Sequence, residues 1–143
     1  MIIQASEENI EDMTTLAFVL WHEDYDVLRA EMADHINDDA CAYYIKMLEG
    51  SPVGFAECRL RHDYVEGTDS SPVGYLEGIF VLEAYRHRNY GSELVEACEK
   101  WAKGKGCSEF ASDCETDNPA SLQFHLDTGF EEMNRIICFR KDL

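Results

Sequence analysis

The sequence predicts a mixed α/β fold (α+β in its connectivity), a central sheet carrying helices on both faces. Three observations predict it. Apolar runs of strand length are separated by amphipathic helical stretches, two strands follow each other across a turn rich in Gly, Ser and Pro, and the second half alternates strand and helix. The expected order is β-α-α-β-β-β-α-β-α-β, in one domain spanning residues 1–143, a length suited to one buried core and too short for two.

Ile2 to Ala5 reads as a short first strand. Ser6 can cap the helix behind it, in which Ile10, Met13, Leu16, Ala17 and Leu20 recur at helical spacing. A second helix is expected over Val27 to Ile36, with Leu28, Met32 and Ile36 four residues apart. Cys41 to Leu48 and Val53 to Leu60 read as strands joined by Glu49-Gly50-Ser51-Pro52, residues that supply hairpin turn chemistry. The polar loop His62 to Pro72 leads into a strand over Val73 to Leu82, then a basic turn from Tyr85 to Tyr90. The following helix is expected to begin near Gly91, to turn Leu94, Val95, Cys98, Trp101 and Ala102 inward, and to stop in Lys103-Gly104-Lys105-Gly106. Glu109 to Ser112 reads as a strand. Asn118 then caps a helix with Pro119 in its first position and Gly129 at its end, and Met133 to Arg140 is expected to close the chain as a strand.

Composition excludes several classes of function. The net charge is −17, from 29 acidic against 12 basic residues, which argues against nucleic acid or an anionic membrane as partner because phosphate contacts need Lys and Arg. The same acidity suits a cationic substrate, although solubility alone also explains an acidic surface. The longest apolar runs fall far short of the ~20 residues that cross a bilayer, and the first residues lack the pattern of a signal peptide, so a cytoplasmic location is expected. The six cysteines form no CxxC pair and no His stands at ligand spacing from a cysteine pair, so reduced thiols and no metal are expected.

The segment from Val81 to Ser92 carries the chemistry. A basic, glycine-containing turn joins an apolar strand to an amphipathic helix, and free amides at such a helix start, with the positive end of its dipole, attract an anion. Arg86, His87 and Arg88 add positive charge, although basic residues also occur in turns of purely structural use. The turn resembles the acetyl-CoA signature of the GNAT N-acetyltransferase superfamily, Arg/Gln-x-x-Gly-x-Gly/Ala, with Arg86 first and Gly91 last. Asn89 replaces the usual first glycine, and Asn tolerates positive φ better than most residues. The spacing of Asn118, Ser121, His125, Gly129 and Phe130 fits the superfamily's last helical segment. The resemblance implies acetyl-CoA as cosubstrate. It places the amides of His87, Arg88, Asn89, Tyr90, Gly91 and Ser92 on the pyrophosphate, those of Ile79, Phe80 and Val81 along the pantetheine and thioester, and Asn118 beside the cofactor.

Further segments resemble the aminoglycoside 6′-N-acetyltransferases: Arg61 to Pro72 running into Tyr75-Leu76-Glu77-Gly78-Ile79-Phe80-Val81, Leu20-Trp21, and Ala111-Ser112-Asp113. That resemblance implies transfer of acetyl to a 6′ amine, hence antibiotic resistance, with Trp21, Asp24, Tyr64, Glu77, Asp113 and Asn134 lining the aminoglycoside site. Asn134 stands where the family carries an acid. It also implies a homodimer. The residues by themselves leave alternatives open. Glu77 interrupts an apolar run, which is costly unless it has a partner or a task, yet it could face solvent. Trp21 could be core, Tyr64 a loop aromatic and Asp113 a turn residue.

The mechanism so implied is direct attack of a neutral amine on the thioester, with Glu77 taking the amine proton directly or through water, the amide near Val81 facing the oxyanion, and His125 protonating the thiolate. His125 could equally pack near the cofactor without chemistry. Two other readings share these features: acetylation of another cationic amine, such as a polyamine or peptide, and a non-catalytic CoA-sensing module.

Overall fold

The computed structural model describes all 143 residues. Strand β1 (Ile2–Gln4) leads through one 3-10 turn at Glu7–Asn9 into helices α1 (Ile10–Trp21) and α2 (Tyr25–His35). Strands β2 (Cys41–Leu48), β3 (Ser51–Arg61) and β4 (Val73–Val81) follow, then α3 (Tyr90–Gly104), β5 (Phe110–Ser112) and α4 (Pro119–Asp127). Ser6 caps the 3-10 turn rather than α1 itself, its amide donating to Asn9 Oδ1 at 3.0 Å. The β2–β3 turn is tighter than Glu49-Gly50-Ser51-Pro52 suggested. Glu49 and Gly50, both at positive φ, make a two-residue hairpin turn, and Ser51 and Pro52 already lie in β3.

The strands order as β1-β2-β3-β4-β5, antiparallel except for the parallel β4–β5 pair. Side chains alternate across the sheet, so Tyr43, Ile45 and Phe55 meet Met13, Leu16, Leu28 and Met32 of α1 and α2 on one face. On the other face Ala42, Ala56, Cys58 and Leu76 meet Leu94, Val95 and Cys98 of α3. The mixed sheet with helices on both faces is therefore the observed architecture. All six cysteines are free thiols, and burial pushes the Cys41 thiol up to about 12, which makes it inert as a nucleophile. No group of three or more His, Cys, Asp or Glu is placed to hold a metal, and no helix is long and apolar enough to cross a membrane.

One element differs from expectation. The strand expected over Met133–Arg140 does not form, and residues 131–143 run as an exposed arm without regular structure. Its apolar composition suits a strand, but a strand exists only when another strand completes its hydrogen bonds. The arm pairs with none in this chain.

Candidate active site

The sheet forks at its functional end. β5 pairs with β4 only from Gly74 to Leu76, whereas β3 pairs with β4 along its length to Val81. Past Leu76 the two parallel strands diverge, leaving Ile79, Phe80 and Val81 with an open edge on the β5 side. A parallel pair that parts in this way offers unpaired main-chain groups to an extended ligand.

The turn above the fork supplies the anion site. His87 and Asn89 both adopt left-handed backbone, with φ of 60° and 69°, and Asn89 caps α3. The first helical bond runs from the Glu93 amide to the Asn89 carbonyl at 3.1 Å, and the amides from His87 through Ser92 donate to no group of the chain. They form a row of free donors at a helix start, an anion-binding nest. Arg86 fixes the turn to the fork, its Nε donating to the Val81 carbonyl at 2.9 Å. Gly91 allows a close approach of α4: a Cβ there would lie 2.7 Å from the Phe124 ring.

On the α1–α2 side a cavity of about 310 Å³ is lined by Trp21, Glu23, Leu28, Glu31, Glu57, Arg59 and Glu77. Trp21 packs edge-on to Phe55, and its indole lies over Gly78, where a Cβ would come within 2.5 Å of the ring. Four carboxylates against one guanidinium give the cavity a negative field, and Trp21 gives it a flat apolar wall.

Arg61 holds Glu77 through Nε–Oε1 at 2.9 Å and Nη2–Oε2 at 2.7 Å. The same guanidinium lies 3.4 Å from the Tyr75 ring centroid, and the Tyr75 hydroxyl donates to Asp113 Oδ2. Burial, reinforced by the Asp113 hydrogen bond, raises the Tyr75 hydroxyl above its usual range and keeps it a donor.

A free-amide nest, a forked parallel pair and a cavity of carboxylates now stand together, and comparison with known proteins agrees with them. The acetyltransferase (GNAT) family model matches residues 7–130. The chain belongs to the GNAT family. It is 42% identical over 142 residues to an aminoglycoside N(6′)-acetyltransferase type 1 of Salmonella enteritidis, covering 98% of this chain and 97% of that protein. An aminoglycoside N(6′)-acetyltransferase type 1 of Serratia marcescens is 38% identical over 148 residues, covering 100% of this chain and 99% of that protein. Among solved structures, AAC(6′)-Iy in complex with the bisubstrate analog CoA-S-monomethyl-acetylneamine superposes with a TM-score of 0.96 at 41% identity, covering 100% of this chain and 98% of that one. AAC(6′)-Ih from Acinetobacter baumannii does so with 0.96 at 36%, covering 100% and 98%.

The remaining site residues of this GNAT chain are placed as follows. Trp21 and Glu77 line the cavity, and Asp113 joins Glu77 through Tyr75 and Arg61. Asp24 does not line it: its carboxylate caps α2 by accepting from the Val27 amide at 3.1 Å, and the preceding Glu23 faces the cavity instead. Asn118 likewise caps α4, accepting from the Ser121 amide at 3.1 Å. Tyr64 and Asn134 form a second cluster apart from the cavity lining. Both donate to Glu66, each at 2.9 Å, and Tyr64 is 80% exposed. His125 Nδ1 donates to the Ser121 carbonyl at 2.7 Å, and Nε2 lies 2.8 Å from Ser112 Oγ.

Glu23, Glu31, Glu57 and Arg59 escaped the sequence reading. Glu57 is 5% exposed and pairs with Arg59 at 2.6 Å, and Arg59 in turn donates to His35 Nδ1 at 2.9 Å. Burial raises the Glu57 carboxyl above its ordinary range, with the Arg59 charge opposing and the Glu77 charge adding to the rise. The signal was available: Glu57 interrupts an apolar run as Glu77 does.

Proposed function

We propose that this chain transfers acetyl from acetyl-CoA to the 6′ amine of an aminoglycoside, inactivating the drug. The observation that carries the reading is the pairing of two sites across one strand. β4 borders the free-amide nest at Val81 and contributes Glu77 to the acidic cavity. The full-length likeness to aminoglycoside N(6′)-acetyltransferases supports the same substrate.

Acetyl-CoA supplies the acetyl thioester. In this reading the amides from His87 through Ser92 hold its pyrophosphate, and Ile79, Phe80 and Val81 receive the pantetheine as an added strand. The cavity glutamates collect the polycation, and Trp21 stacks against a sugar ring. The amine nitrogen bonds to the thioester carbon and the carbon–sulfur bond breaks. The amine proton passes to Glu77, directly or through water, and the Val81 amide donates to the oxyanion. Arg61 occupies both oxygens of Glu77, so an incoming ammonium shares the carboxylate with a guanidinium. His125 supplies the proton for the departing thiolate through the Ser112 hydroxyl.

The chain works in this reading as a homodimer in the cytoplasm. The exposed arm bears Met133, Ile136, Ile137 and Phe139, all large and apolar, while β5 is an edge strand only three residues long. A second copy that covers the arm removes that apolar surface from water.

Thiol release from acetyl-CoA over a panel of amines tests the reading. Kanamycin and tobramycin are expected to give kcat/KM far above spermidine; the reverse order assigns the site to a polyamine, and no release with any amine leaves only a binding module.

A further inference from the structure

Lys46 is the single charged residue of β2, and it is buried, at 6% exposure. It lies where the β2–β3 register shifts between Lys46 and Met47. A lysine buried on a sheet face is costly unless its ammonium is fully partnered. Its Nζ pairs with the Glu93 carboxylate in the first turn of α3 and sits 4.4 Å from the centroid of the Tyr90 ring. Tyr90 and Glu93 are three residues apart and share one side of the helix. Beside them the chain's terminal ammonium is held by the Met47 carbonyl at 3.1 Å.

This contact falls on the turn whose amides are free. Tyr90 belongs to the nest, and Gly91 next to it is packed by Phe124. Glu93 favours the helix start through the dipole, but its charge opposes an anion bound one turn away. We propose that Lys46 is a positioning residue for the diphosphate of the acyl donor: it cancels Glu93 and clamps Tyr90, so that the nest keeps its shape and its positive field. The inference rests on the acetyl-CoA reading of the nest and adds a residue from a strand outside the signature.

The readout is the ratio of kcat/KM for acetyl-CoA to that for S-acetylpantetheine, which carries the same thioester without the nucleotide diphosphate. Lys46→Met is expected to lower this ratio about tenfold, the scale of a modest coupling between linked sites. Adding Glu93→Gln is expected to restore it to within about threefold, because the uncompensated charge is then gone. A role in stability alone would lower both donors together and leave the ratio unmoved, and that result overturns the proposal, as does a double variant no better than the single. Should Lys46→Met not fold, Glu93→Gln alone decides: it is expected to keep or raise the ratio, and a loss of more than about fivefold contradicts the account. If the parent protein shows no preference for acetyl-CoA, the nest does not bind the diphosphate, and both the reading and the inference fall. A parent preference retained in Lys46→Met removes Lys46 only.

Discussion

Arg61 meets Glu77 fork to fork, with hydrogen bonds of 2.9 and 2.7 Å, while its guanidinium lies flat on Tyr75 at 3.4 Å. A bidentate pair of this kind fixes the carboxylate plane as well as its charge. Replacing Glu77 by Gln keeps the shape and removes the base. The expected result is a fall in kcat for kanamycin of about 100-fold or more, the size of a lost general base, with CoA affinity by calorimetry unchanged within about twofold. Full activity in the variant would remove Glu77 from the chemistry.

The His125–Ser112 contact predicts non-additivity. If the proton for the thiolate passes through both groups, His125→Ala and Ser112→Ala each lower kcat, on the order of tenfold. The double variant falls no further than the worse single. Steady-state kinetics of the three variants checks this, and additive losses would separate the two residues.

Gly91→Ala places a methyl 2.7 Å from the Phe124 ring. Overpacking of this sort costs about 1–3 kcal/mol, and here it pushes the first turn of α3 as well. Melting temperature is expected to fall and KM for acetyl-CoA to rise, and Phe124→Leu in the same chain should recover part of both.

Glu57 gives a pH signature. Burial raises its folded carboxyl above the ordinary value of 4.5, so the folded state binds the proton more tightly than the unfolded chain. The stability this contributes is full below about 4.5 and is lost as pH rises through the raised folded value. Glu57→Gln does not titrate. The melting temperature of the parent relative to the variant is therefore expected to decline as pH rises from about 4.5 toward neutrality, measured by a pH series of thermal melts. A rising difference would reverse the sign and contradict the burial argument.

The arm predicts the assembly state. Ile137 and Phe139 are 80% and 90% exposed in the single chain. Light scattering is expected to report a dimer for the parent and a monomer once both are changed to Asp; a monomeric parent would remove the arm's proposed role in assembly.

Much of this was legible in the sequence because it is local. β2 begins at Cys41 and ends at Leu48 as the apolar run does, with turn residues beyond it. Asn89 adopts the positive φ that its side chain tolerates and keeps the signature turn intact. What was not legible depends on partners distant in sequence. The residues from Met133 to Arg140 have strand composition, but whether a strand forms is decided by what lies beside it. Asp24 and Glu23 exchange roles because His22 takes left-handed backbone at φ 54° and sets the chain's entry into α2. Lys46 is one charge in an apolar strand, and only the fold brings Glu93, 47 residues on, to it; Arg59, two residues from Glu57 on the same strand, is by contrast a local partner.

The most direct test of the central claim is regiochemical. Purified protein, acetyl-CoA and kanamycin are incubated, and the product is read by mass spectrometry and two-dimensional NMR, beside an aminoglycoside that carries a 6′-hydroxyl in place of the amine. The account predicts a single acetyl group on the 6′ nitrogen and no transfer to the 6′-hydroxyl compound. Acetyl on another amine, or equal turnover of both drugs, would contradict it.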